Sequence, residues 1–200
     1  MTTQDERRAA TRGRLIDAGR HLFGTKGFDD VSQAELVRLA GVTRGALYHH
    51  FDGKEGLFAA VYAELQQEIT ARIVEAAGRE SGPWRELEAG CVAFLRACLD
   101  PEVQRIVLRD APRVLGWDHW REVDAASGLI VLEEGIRAAI DAGDMRGLPP
   151  TAVARGLLGA MNELGLWLAN APDAAAALGE AEVALSRMLD GLRATSGAHR

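Results

Sequence analysis

The sequence has only two cysteines, and their spacing supports neither a disulfide between them on one helix nor a zinc site. Cys91 and Cys98 are seven residues apart, which on one helix places them about 10 Å apart along the axis. A disulfide needs Cα atoms within about 7 Å, and this spacing matches no zinc motif. We therefore expect two small apolar side chains in a reducing compartment.

Signals for export, membrane insertion and catalysis are also lacking. The chain opens on polar residues rather than a secretory leader, and no apolar run approaches the ~20 residues of a membrane span. There is no glycine-rich phosphate loop, metal-spaced His/Cys cluster or recognisable nucleophile–base set. The sequence therefore predicts a soluble cytoplasmic protein that is not an enzyme, with no catalytic residue, metal site or cofactor.

The net charge of −6 excludes a protein that coats nucleic acid by bulk charge. The charge is unevenly distributed, however. Up to Lys54 the chain carries nine basic and seven acidic residues, a net +2, so the remainder carries −8. A locally basic segment on an acidic body suits a protein that contacts phosphates at one end only.

Helical periodicity runs through almost the whole chain and predicts an all-α fold of about nine helices. The first helix is expected to end at Gly27, with Phe28 folding back on Phe23. Glycine and proline mark the later boundaries. These predicted breaks lie at residues 78–83, 100–101, 111–112, 149–150 and 170–173.

Two short capped helices joined by a glycine turn predict a helix-turn-helix. Ser32 and Glu35 have the spacing of a capping box at the start of the first helix. Gly41 supplies the left-handed residue that ends this helix. Thr43 is the expected N-cap of the second helix.

The exposed face of that second helix suits the major groove of DNA. Leu47 and Phe51, four residues apart, share the inward face. Arg44 can donate two hydrogen bonds to guanine O6 and N7, and Gly45 lets the backbone approach base edges. Contacts to phosphates are expected from the neighbouring polar residues Thr43, Tyr48, His49 and Lys54.

Residues 36–55 resemble the signature of the TetR (tetracycline repressor) family almost residue for residue, as LVRLAGVTRGALYHHFDGKE. The resemblance covers about residues 10–60; Val37 and Gln33 depart from it, where the family has alanine and an apolar residue. It implies a three-helix DNA-binding domain at 1–52 and a helical effector-binding and dimerisation domain at 53–200. It also assigns DNA contacts to Ser32, Thr43, Arg44, Gly45, Tyr48, His49 and Lys54.

Basic and histidine residues near this motif allow simpler interpretations. The N-terminal arginines fit an arm on phosphates or the minor groove and fit solvated charges equally well; they are Arg7, Arg8, Arg12 and Arg14. His49 and His50 are adjacent, so they point in different directions on a helix. No metal site is expected there.

The acidic body is predicted to hold a ligand pocket, because the resemblance implies a small, mostly apolar effector. Trp117 and Trp120 follow a proline break, where helices can separate and leave a cavity. Packing in the core is the alternative for each tryptophan. The expected pocket residues are Phe94, Leu108, Arg109, Trp117, Trp120, Met161, Asn162 and Leu164.

The last two helices are predicted to form a homodimer through a four-helix bundle about a two-fold axis. Small residues at helical spacing allow close approach, and a leucine stripe adds apolar area. The expected interface residues are Gly156, Gly159, Leu178, Leu185, Leu189 and Leu192. Packing of these stripes within one chain is the alternative.

The sequence thus predicts a DNA-binding transcriptional regulator, a ligand-responsive repressor that binds a palindromic double-stranded operator as a dimer. Two alternatives stay open from the sequence. One is a helix-turn-helix regulator without a small-molecule effector, acting constitutively or through a protein partner. The other is a helical binding protein that does not bind DNA.

Overall fold

The computed structural model describes residues 3–116, 120, 122 and 128–194, and most of them are helical. The first helices are α1 (Gln4–Lys26), α2 (Gln33–Ala40), α3 (Arg44–Phe51) and α4 (Lys54–Ala77). Then follow α5 (Pro83–Ala97), a π-helix (Val103–Asp110), α6 (Ala111–Val114), α7 (Ile130–Asp141), α8 (Pro150–Asn170) and α9 (Ala174–Asp190). The predicted all-α fold is confirmed.

Extended pairing within these described residues is limited to one isolated antiparallel bridge, between Met145 and Arg193. Across the same ranges, we find no helix with both the length and the apolar character that crossing a membrane requires.

The chain folds as two compact units. The first comprises residues 1–65 and 101–121, and the second comprises residues 66–100 and 122–200. Helix α4 therefore contributes its residues up to Leu65 to the first unit and the remainder to the second. The boundary between functional domains at residues 52 and 53 stays a prediction, because compact units report packing rather than function.

An aromatic cluster forms the centre of the first unit. The Phe58 ring lies 5.2 Å from Phe23 and 5.2 Å from Phe28, in both cases edge to face. The Phe23 and Phe28 rings are 5.8 Å apart, which confirms the predicted contact across the end of α1. Gly27 makes this turn possible with a φ of 86°, a conformation that favours glycine.

The second unit buries apolar side chains from α5, α7, α8 and α9. Its fully or nearly fully buried residues include Trp84, Leu95, Ile136, Leu168 and Leu185. Both cysteines also lie in this core as free thiols. Burial raises the pKa of each from 9.0 to about 12, so both stay protonated and apolar at neutral pH.

The predicted boundary at residues 111–112 coincides with the junction between the π-helix Val103–Asp110 and α6. At this junction, the amide of Ala111 donates to the carbonyl of Ile106, five residues earlier. The chain stays helical across it, because Pro112 lies in the first turn of α6. Proline is tolerated there, since the first amides of a helix have no partner within it.

Candidate nucleic-acid interface and cavity

Side-chain caps and one glycine hold α2 and α3 as a helix-turn-helix. The Ser32 hydroxyl accepts a hydrogen bond from the Glu35 amide (3.2 Å) at the start of α2. Gly41 ends α2 in the left-handed region (φ 63°, ψ 39°). The Thr43 hydroxyl then accepts from the Ala46 amide (3.3 Å) and starts α3. The caps by Ser32, Gly41 and Thr43 match the predictions from the sequence. The predicted capping box at the start of α2 is formed only in its Ser32 half, and the Glu35 carboxylate accepts from Lys26 instead.

Helix α3 is anchored by two apolar residues and exposes its opposite face. Leu47 is fully buried and Phe51 is 8% exposed. The residues on the other side are all exposed to solvent, and they are Thr43, Arg44, Gly45, Tyr48 and His49. The structure therefore places these five predicted DNA-contacting residues together on one accessible surface, which we call the α3 face.

Two polar contacts orient the phenol of Tyr48 on the α3 face. The Tyr48 hydroxyl donates to Gln33 Oε1 (3.1 Å), and the Arg44 guanidinium lies 5.7 Å from the centre of the Tyr48 ring. The pKa of the phenol is lowered, chiefly by a hydrogen bond with the Arg44 side chain and then by Gln33. The sequence analysis missed this role of Gln33; the polar residue at a usually apolar family position was its only signal.

Lys54 lies within the fold rather than free at the surface. Its ammonium donates to the carbonyls of Phe28 and Val31, both at 3.0 Å. The same nitrogen lies 4.0 Å above the Phe28 ring, in cation–π geometry. Two of its three donors thus hold the turn between α1 and α2. A contact of Lys54 with phosphate remains a prediction.

The four N-terminal arginines differ in whether their side chains bind other groups of the protein. Arg7 and Arg8 are exposed on the first turns of α1. Arg12 pairs with Glu64 (3.2 Å), whereas Arg14 donates to the carbonyl of Gly41 (3.4 Å). Only the first two are thus candidates for an unengaged N-terminal arm.

Glu35, next to Ser32, is bound by Lys26 at 2.5 Å. This hydrogen bond is the main cause of the lowered pKa of the Glu35 carboxyl, and the Ser32 backbone contributes less. Ser32 itself is exposed at the N-terminus of α2, where helix amides favour an anion such as phosphate.

The second unit contains a cavity of about 400 Å³. Helices α4, α5, α7 and α8 all contribute to its wall, which is mostly apolar. Its apolar lining includes Ile69, Leu87, Phe94, Leu132, Leu158 and Met161. Its polar lining includes Gln66, Thr70, Glu86 and Glu134. An apolar cavity with a few polar groups is the usual form of a small-molecule site.

Two of the predicted pocket residues, Phe94 and Met161, line this cavity. Asn162 and Leu164 are not among its lining residues. Asn162 is rotated about 100° from Met161 around α8, whereas Leu164 shares the Met161 face but lies one turn further along the helix. Leu108 is buried in the first unit and Arg109 is exposed there. Trp120 does not line the cavity either. Trp117 lies outside the described residues.

The predicted dimer residues divide into buried and exposed groups. Leu185 and Leu189 are 0% and 1% exposed, so they pack inside the protomer and have no free area for a partner. Leu178 and Leu192 are half-buried, whereas Gly156 and Gly159 are exposed. Large exposed apolar side chains also occur on α8 and α9: Trp167, Val183 and Met188. Leu185 and Leu189 therefore belong to the core of the protomer, and the dimer interface stays a prediction.

Two family profiles match the chain. One, described as bacterial regulatory proteins of the tetR family, matches residues 15–61. The other, described as a tetracyclin repressor-like C-terminal domain, matches residues 84–192, which is more than half of the chain.

Individual proteins agree with these profiles. The chain is 32% identical over 139 residues to the HTH-type transcriptional regulator SrpR of Pseudomonas putida, covering 68% of this chain and 63% of SrpR. It is 31% identical over 120 residues to the Transposon Tn10 TetC protein of Escherichia coli, covering 60% of each. The matches thus span less than two thirds of the length of these curated relatives.

A solved structure matches over nearly the full length. It is a TetR-family transcriptional regulator from Pectobacterium atrosepticum, with 34% identity and a TM-score of 0.82. The match covers 97% of this chain and 99% of that one. The similarity therefore includes the helices of the second unit as well as the helix-turn-helix.

Proposed function

The chain belongs to the TetR family of bacterial regulatory proteins, and we propose that it represses transcription in the cytoplasm by binding an operator in double-stranded DNA. The observation that carries this proposal is the α3 face, where Arg44, Gly45 and Tyr48 are exposed while Leu47 and Phe51 anchor the helix from beneath. Regulators of this family are not enzymes, which agrees with the absence of catalytic motifs in the sequence.

Each residue of the α3 face has a proposed role. Arg44 reads guanine in the major groove, and Gly45 lets the helix approach base edges. The hydroxyls of Ser32 and Thr43 and the helix amides beside them bind phosphates. Tyr48 and His49 contact the flanking backbone. We assign Lys54 mainly to the support of the α1–α2 turn, because two of its donors are used there.

We propose a homodimer formed by α8 and α9. The exposed Gly156 and Gly159 allow close helix approach, and Trp167, Val183 and Met188 supply apolar area. A two-fold dimer presents two α3 helices, so it binds a palindrome with half-sites about one helical turn apart.

A small, mostly apolar effector occupies the cavity in this proposal. Ile69 and Ile73 of α4 line the cavity, and the same continuous helix begins at Lys54, three residues after α3 ends. A ligand that binds one position of α4 better than another shifts the population of DNA-binding states. The cavity favours this version over a regulator that has no effector.

The test is binding to fragments of the source genome at low salt, followed by footprinting of retained fragments. We expect the footprint to cover a palindromic site made of two half-sites. Light scattering should show one dimer bound to each site. A protein that retains no double-stranded fragment contradicts the DNA-binding proposal. A monomer that binds a single half-site contradicts only the proposed dimer.

A further inference from the structure

The charged side chains that line the cavity are both acidic among the residues that the structure describes. They are Glu86 of α5 and Glu134 of α7, and no described lysine, arginine or histidine lines it. Glu86 is half-buried and Glu134 is exposed. Within the described residues, the apolar space is therefore bordered by two carboxylates and by no cation.

Neither carboxylate is neutralised within the part of the chain that the structure describes, where the side chains of Glu86 and Glu134 form no ion pair or hydrogen bond. Glu133, the residue before Glu134, shows the contrast. It accepts from Arg137 and from Thr151 (2.8 Å), and Arg137 is the first cause of its lowered pKa. Glu133 thus supports the fold, whereas the two cavity carboxylates have no such use.

The second unit is not short of arginine, so scarcity does not explain why no described cation lines the cavity. Residues 66–100 and 122–200 contain ten arginines and no lysine. Five of the ten line a separate groove of about 870 Å³ beside Trp84, and none of those that the structure describes lines the cavity. These groove residues are Arg72, Arg79, Arg85, Arg96 and Arg193.

We infer that the cavity binds a lipophilic organic cation, with its apolar body among Ile69, Leu87 and Phe94 and its positive charge toward Glu86. This inference rests on the proposed function, which makes the cavity the effector site. A carboxylate or phosphate ligand would bring like charges together in a poorly solvated space, which raises its free energy of binding. A cation gains attraction from the same carboxylates and from the face of an aromatic ring.

The test uses two ions of the same shape and opposite charge, tetraphenylphosphonium and tetraphenylborate, titrated calorimetrically into the full-length protein without DNA. Each ion is titrated alone, because the two precipitate together as a salt. We expect the phosphonium to bind in the cavity and the borate not to bind there. The Glu86 and Glu88 variants distinguish binding in the cavity from binding in the arginine-lined groove. A smaller pair, benzyltrimethylammonium and phenylacetate, repeats the comparison for a ligand of half the size.

Substitution of Glu86 then assigns the charge preference to the cavity. Glu86→Gln should weaken phosphonium binding about fivefold, the effect of losing one partly solvated ion pair. Glu88→Gln is the matched control, since it removes the same charge from the same helix but lines the groove instead. Borate binding that Glu86→Gln strengthens and Glu88→Gln does not, equal effects of the two variants on phosphonium binding, or binding of neither cation would each overturn the inference.

DNA binding is measured in parallel on the same proteins, so the two proposals fail separately. Loss of operator binding by the unliganded protein contradicts the proposed regulator, whatever the cavity binds. If the protein binds the operator and only the anionic probes release it from the DNA, the cationic ligand is contradicted and the proposed regulator is not.

Discussion

Gly56 lies so close to the carbonyl oxygen of Phe51 that a Cβ on the glycine would stand 1.5 Å from that oxygen. Real Cβ atoms do not approach backbone oxygen at such a distance. Phe51 is the last residue of α3, and Gly56 lies in the first turn of α4. The junction between the two helices therefore has room for a hydrogen and for no side chain.

Replacing Gly56 with alanine should destabilise the protein, because the backbone at the end of α3 must move to admit a methyl group. We expect a loss of about 1–3 kcal/mol in the free energy of unfolding, measured by urea denaturation. Gly13→Ala is the control, because a Cβ there meets no atom within 4 Å. Equal stabilities of the two variants would contradict this account of the junction.

Replacing Arg44 with alanine should weaken specific operator binding by about 1–3 kcal/mol and relax base preference at one position of each half-site. Fluorescence anisotropy with operator and single-base variants measures both effects. Arg38→Ala removes the same charge from the exposed surface of α2, and it should leave base preference unchanged. Undiminished discrimination in Arg44→Ala would remove this residue from the proposed readout.

Replacing Gly45 with alanine separates stability from DNA binding. The free protein has space for a Cβ there, with Thr43 Oγ1 the nearest atom at 3.8 Å. Alanine should therefore stabilise α3 by up to about 1 kcal/mol. Close approach of the helix backbone to base edges predicts that operator affinity nevertheless falls, by about tenfold. An unchanged affinity would show that the backbone stays at a distance from the DNA.

Replacing Lys54 with methionine should lower the free energy of unfolding by about 2 kcal/mol, since two carbonyls lose a charged donor. The salt dependence of operator binding should be unchanged if the ammonium serves only the turn. Each phosphate contact contributes about one unit to the slope of log affinity against log salt. A slope reduced by one in the folded variant would therefore assign Lys54 to the DNA.

The buried thiols predict a fall in stability at high pH. Unfolded cysteine ionises near its ordinary pKa of 9.0, whereas Cys91 and Cys98 in the fold ionise near 12. The two buried thiols therefore contribute fully to the free energy of unfolding below pH 9. This contribution is lost between pH 9 and 12, because the unfolded chain releases its thiol protons in that range. Denaturation of Cys91→Ala/Cys98→Ala across this range should show a shallower fall than the parent protein. Parallel pH profiles would contradict the burial effect.

The helix-turn-helix was predictable because its signals are local. Ser32, Gly41 and Thr43 each act on backbone atoms within a few residues, so the sequence determines where α2 and α3 begin and end. The same holds for the inward positions of Leu47 and Phe51, which follow from helical spacing. The engagement of Lys54 was not predictable in this way, since its partners lie more than 20 residues earlier.

The cavity was not predictable from the sequence, because its wall combines side chains from four helices. Periodicity placed Met161 on an inward stripe but could not show which space the stripe faces. Leu185 and Leu189 illustrate the same limit, since an apolar stripe is equally compatible with the protomer core and with a partner. Pro112 marks the change from the π-helix to α6, as a local rule predicts, but the sequence could not show that the chain stays helical across it.

If Tyr48 and Arg44 contact the operator as proposed, the Gln33–Tyr48–Arg44 contact affects the speed of recognition. Long side chains on a protein surface sample several rotamers, and fixing them costs conformational entropy. Here the phenol is already tied to α2 and the guanidinium lies beside its ring before any duplex is present. Much of that ordering accompanies folding, so a productive encounter with DNA requires little rearrangement of these two side chains.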